Sequence, residues 1–146
     1  MIAQTIQLAL APVFVLVALG NIMNLLSSRL GRIVDRSRKL QEDYKATSGT
    51  EHDAIVREIR IVNRRITLIN RALLILVCAA VCIGLTVALL FLEEIFGTDL
   101  QPIAAGVFIL SVSLMMWALL LFLRETQLAT AALRIPASYL ELEREL

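Results

Sequence analysis

Histidine is nearly missing from this chain, with His52 the single one, and cysteine occurs only as Cys78 and Cys82. His52 lies 26 residues from the nearer cysteine, no H-E-x-x-H or comparable ligand spacing occurs, and there is no glycine-rich phosphate loop. Metal-assisted hydrolysis, Cys–His nucleophilic catalysis and phosphate-loop chemistry therefore find no residues to carry them. The two cysteines stand four residues apart, a helical spacing that suits neither a disulfide nor a zinc site without further ligands. They read as small buried thiols packing like alanine. No enzyme, metal or cofactor is expected.

Charge is missing in long stretches. None occurs from Met1 to Ser28, from Ala72 to Leu92, or from Leu100 to Leu123. Each run exceeds the roughly 20 residues that a helix needs to cross about 30 Å of hydrocarbon. A composition that is 58% hydrophobic, with mean hydropathy +0.78, is also too apolar for an ordinary soluble domain. The expected fold is all-α: one membrane domain over 1–146, with transmembrane helices near 6–27, 72–92 and 103–123. The absence of an acid or base inside these spans argues against a proton-coupled or charge-translocating transporter.

The N-terminus has no Lys or Arg before its apolar run, the reverse of a secretory signal, so this run is expected to stay as an anchor. Residues 29–71 hold 11 Lys/Arg against 6 Asp/Glu, and Arg124, Arg134 and Arg144 come after the third run. The connection after the second run holds only Glu93, Glu94 and Asp99. The positive-inside rule then places the N-terminus outside, and the 29–71 segment and the C-terminus in the cytoplasm.

Between spans one and two, Leu30, Ile33, Val34, Leu40 and Tyr44 form one apolar stripe. Ile55, Ile59, Val62, Ile66 and Ile69 form another. Gly49, in Thr47-Ser48-Gly49-Thr50, supplies a turn, and Ser48 or Thr50 is suited to cap the second helix. The segment reads as an antiparallel cytoplasmic helical hairpin. Only Gly31 weakens the helix between Asn21 and Lys39, so span one and the first arm are expected to form one rod, and span two to grow out of the second arm. Gly97 and Thr98 make the outer turn, and Pro102 suits the start of span three. Span three should run on to Leu133, Pro136 should end or kink it, and residues 137–146 suit a last short, mostly acidic helix.

The runs APVFVLVALGNIMNLLSSRLGRIVDRSRKL, RRITLINRALLIL and LLLFLRETQLATAALRI together resemble a bacterial family of small three-span membrane proteins, domain of unknown function 2721. The resemblance covers about residues 5–135. It implies an architecture and carries over no activity or site residues.

Span one is the least lipid-like of the three. On a heptad, one series is Gln4, Ala11, Ala18 and Leu25, and another is Gln7, Phe14, Asn21 and Ser28, with Asn24 beside them. An amide facing acyl chains lacks partners, so these side chains should face protein or water. Two environments would serve: hydrogen bonds across helix contacts, or a hydrated path ringed by the first spans of several subunits. Pro12 is placed to bend the outer third of this helix. Ala80, Gly84 and Ala88 offer a small-residue packing face, and Ser111 and Ser113 can return their hydroxyls to their own helix. Trp117 reads as lipid-facing or packing.

Arg29, Arg32, Arg36 and Lys39 form one stripe of the hairpin, and Arg57, Arg60, Arg64 and Arg71 another. They suit topology and solvation, with Arg29, Arg32, Arg65 and Arg71 near anionic headgroups. The sharper alternative is a surface for an anionic lipid or a cytoplasmic protein. Nucleic acid is not expected, because Asp35, Glu42, Asp43, Glu51, Asp53 and Glu58 dilute the field. Glu93, Glu94 and Asp99 read as a solvated external loop or as a cation-concentrating mouth, and His52 as an exposed residue at the hairpin tip. A polar seam on span one and an apolar stripe left over on a hairpin arm suggest a cyclic homo-oligomer. The leading expectation is a pore lined by span one in a bacterial cytoplasmic membrane. The alternative is a non-conducting scaffold whose hairpin recruits a partner.

Overall fold

Apart from Pro12, and Pro102 at the very start of the third, the apolar runs hold no proline to interrupt a helix. In a computed structural model, which describes residues 2–133, the chain forms α1 (Ile2–Ala46), α2 (Thr50–Phe96) and α3 (Gln101–Ala132). The expected stop or kink at Pro136 and the short helix over 137–146 lie outside the described residues. All three helices are long and apolar enough to cross a membrane. At 1.5 Å per residue the 45 residues of α1 extend about 68 Å, more than twice the hydrocarbon thickness. α1 and α2 thus each join an uncharged stretch to a charged one without interruption, and α1 passes through Pro12 as continuous helix.

Glycine makes both turns. Gly49 has φ 77° and ψ −140°, a conformation that side chains oppose, and its carbonyl accepts the Asp53 N–H at 3.3 Å. The expected cap from Ser48 or Thr50 does not form: Gly49 itself is the N-cap, and α2 starts without a side-chain cap. Gly97 closes α2 in the left-handed region at φ 64°, donating its N–H to the Glu93 carbonyl at 2.8 Å. Pro102 sits in the first turn of α3, where no intrahelical N–H is lost.

α1 and α2 run antiparallel. Tyr44 meets His52 next to the turn, Arg36 meets Glu58 farther along, and Thr5 reaches Glu94 at the far ends. The two apolar stripes share one core: Ile33 and Leu40 of α1 are buried with Val62 and Ile69 of α2, and Leu30, Ile55, Ile59 and Ile66 pack against them. Neither stripe is left over, so that part of the argument for an oligomer falls.

The buried positions are strictly spaced. In α1 they include Thr5, Pro12, Leu19, Leu26, Ile33 and Leu40, each seven residues after the last. In α2, Val62, Ile69, Leu76 and Ile83 form one heptad series and Ala72, Ala79 and Thr86 a second. In α3 the buried residues are Ala104, Ser111, Ala118 and Glu125, again at sevens. A seven-residue repeat keeps one seam inward only if the helices coil gently left-handed.

Packing density comes from small residues on α3. Ala104, Ser111 and Ala118 let α3 approach α2 closely, and the Ser111 hydroxyl donates to the Ala79 carbonyl of α2 at 2.8 Å. Ser111 therefore bonds across helices rather than within its own, whereas Ser113 returns its hydroxyl to Ile109 as expected. The Ala80/Gly84/Ala88 face is not the packing face: Gly84 and Ala88 are exposed, and a Cβ on Gly84 would meet nothing within 4 Å. Cys78 is likewise exposed rather than buried, and Cys82 is half-buried.

The outer surface carries the large apolar side chains. Phe14, Val17, Leu74, Val81, Ile109, Leu110, Met116, Trp117 and Leu120 all face out. Such a belt is compatible with contact to a lipid bilayer.

Candidate functional site

Where the uncharged runs end, the three helices meet around one carboxylate. Arg29 is the first charge of α1 after its apolar run, Arg65 lies on α2 shortly before its own, and Glu125 comes just after the apolar run of α3. Glu125 continues the Ala104/Ser111/Ala118 series, so its side chain enters the core and is 0% exposed. Its Oε1 accepts from Arg65 Nε at 2.9 Å, and its Oε2 lies 3.0 Å from Arg29 Nη2. The second contact is an ion pair without the alignment of a hydrogen bond, so Oε2 is held by charge alone. Arg29 also stands over the Phe122 ring, 5.1 Å from its centroid, in a cation–π contact.

An isolated buried carboxylate is strongly disfavoured, and two guanidiniums from two other helices are what let Glu125 stay there. The arrangement clamps all three helices at one level and leaves the triad with one surplus positive charge. By residue order Arg29 belongs to a basic stripe and Arg65 to a headgroup contact, and Glu125 has no role at all. The heptad of α3 is the signal that finds it, since three small residues and a glutamate recur every seven positions.

The rest of the basic set divides in two. Arg36 donates through Nε to Glu58 Oε1 at 2.8 Å, but both side chains are almost half exposed, so this pair contributes little. Arg32, Arg57, Arg60, Arg64 and Arg71 are exposed and have no ion-pair partner among the described residues.

The amide series lies on the outside. Gln4, Gln7, Asn21, Asn24 and Ser28 are all exposed, one face away from the buried Thr5/Leu19/Leu26 series, and their side chains have no partner among the described residues. Packing between helices of the same chain thus does not use them.

At the opposite end, Glu93, Glu94 and Asp99 line an open depression of about 390 Å³ beside Gln101. Thr5 donates to Glu94 at 3.2 Å, and one Glu93 oxygen is buried without a hydrogen bond among the described residues. His52 is half-buried rather than exposed: its ring lies 4.5 Å from that of Tyr44 across the turn.

A family described as protein of unknown function (DUF2721) matches residues 9–135. The chain belongs to the DUF2721 family. No curated protein and no solved structure matches it. The DUF2721 match includes Arg29, Arg65 and Glu125, and it also includes Asn21, Asn24 and Ser28, while Gln4 and Gln7 precede it.

Proposed function

We propose that this DUF2721 chain is a subunit of a homo-oligomeric pore in a bacterial cytoplasmic membrane, with its N-terminus outside and the charged halves of α1 and α2 forming a cytoplasmic hairpin. The observation that carries the reading is the exposed amide series of α1. Gln7 and Asn21 stand on an outward face, unpartnered among the described residues, in the stretch that is long and apolar enough to lie in lipid. Hydrocarbon offers an amide no hydrogen bond, so a neighbouring subunit or a water-filled axis is the environment that suits them. First helices arranged around an axis would place rings of Gln7 and Asn21 about 21 Å apart along it. The test begins with native mass spectrometry of the complex from lipid nanodiscs. A ring of four or more subunits supports the reading, after which Asn21→Leu and Gln7→Leu should each change ion flux into liposomes with the assembly intact. A monomer or dimer, or unchanged flux in both variants, overturns it.

A second reading is a non-conducting scaffold whose cytoplasmic arm recruits a partner protein or anionic lipid. Arg57, Arg60 and Arg64 favour it, being exposed, unpaired among the described residues, and spaced along one side of α2. Their combined replacement by alanine should remove a co-purifying partner, and capture by this surface should weaken as salt rises.

A further inference from the structure

Beside the Glu125 junction lies a cleft of about 350 Å³ that all three helices line. Its polar wall is Arg29, Arg32 and Arg65, and its apolar wall includes Leu25, Ile33 and Leu133. Glu125 engages two of the three guanidiniums and leaves the group with a surplus of two positive charges. Arg32 is exposed and has no ion-pair partner among the described residues.

We propose that this cleft is a binding site for one anionic phospholipid, its phosphate held by Arg32 with Arg29 and Arg65 behind it, and its acyl chains running along α1 past Leu25. Three features select this occupant. The positive surplus favours an anion, and guanidinium forks match phosphate oxygens in pairs. The cleft stands where uncharged helix gives way to charged helix, the level of lipid headgroups, and basic pockets between membrane helices at that level suit acidic headgroups. Finally, Leu25 belongs to the uncharged run of α1, so an amphiphile can place its phosphate and its chains on adjoining surfaces, which a free phosphate cannot use. The proposal rests on the chain spanning a membrane and is independent of conduction; it also concerns a different surface from the Arg57/Arg60/Arg64 arm.

Arg32 is the residue to test, because it takes no part in the Glu125 clamp. The full chain would be reconstituted in phosphatidylcholine nanodiscs with a minor fraction of phosphatidylglycerol, and bound lipids counted by native mass spectrometry for wild type, Arg32→Ala and Arg57→Ala. One retained phosphatidylglycerol per chain is expected, with about tenfold weaker retention in Arg32→Ala, little change in Arg57→Ala, and thermal stability preserved in both. Equal losses in the two variants would mean diffuse charge attraction and would overturn the site, as would undiminished retention in Arg32→Ala. Release of the lipid by inorganic phosphate at constant ionic strength would overturn the lipid assignment in favour of a free phosphate site. Failure here leaves subunit mass and ion flux, the measures of the pore reading, untouched.

Discussion

Arg65 and Glu125 are 60 residues apart in sequence and 2.9 Å apart in space, and the carboxylate they share with Arg29 is fully buried. That contact ties α2 to α3, and Arg29 adds α1 to the same point. Removing the acid leaves two guanidiniums facing each other without a counter-charge. Glu125→Gln is therefore expected to destabilise the protein by about 3–5 kcal/mol, measured by unfolding in detergent. Glu58→Gln, which breaks a pair almost half exposed to solvent, should cost no more than about 1 kcal/mol.

The close approach of α3 to α2 depends on side-chain size at the buried heptad positions. Ala118→Leu adds three heavy atoms where almost no surface is free, and should cost about 1–3 kcal/mol. Leucine at Trp117, which is exposed, should change stability far less. The same unfolding assay separates the two.

Glycine substitutions should act in opposite directions. Gly97→Ala places a side chain in the left-handed region at φ 64° and is expected to cost about 1 kcal/mol. Gly84→Ala lies inside α2 with open space around its Cβ and should stabilise by up to about 1 kcal/mol. A lower midpoint for Gly84→Ala would contradict the exposure assigned to that face.

Self-association through the amide face predicts a cross-linking pattern. With Cys78 and Cys82 replaced by alanine, Asn21→Cys should form a disulfide between chains under oxidation, and Leu19→Cys should not. Leu19 is fully buried within its own chain, whereas Asn21 faces out. Equal cross-linking at both positions would argue that α1 has no preferred contact face.

Much of the architecture was legible in residue order. Three uncharged runs marked three long apolar helices, and Gly49 and Gly97 marked both turns, although Pro12, Gly31 and Gly84 stay inside helices. The stripes at Ile33/Leu40 and Val62/Ile69 found each other because, outside the apolar runs, large apolar side chains alternate with charges and so declare which face must be covered.

Inside the apolar runs that contrast disappears. Lipid is as apolar as a protein core, so hydropathy does not tell a buried face from an exposed one. On α3 the relation is even inverted: Ile109, Leu110, Met116 and Trp117 point outward, and Ala104, Ser111, Ala118 and Glu125 point in. Residue order alone dictates that this DUF2721 chain is built from three long helices, each with a long stretch free of charge. Which heptad phase of each helix is buried was settled by the packing of the helices on one another, because close packing selects for size and hydrogen-bond partners. The same choice turned Glu125 from one more terminal charge into the point where all three helices are joined.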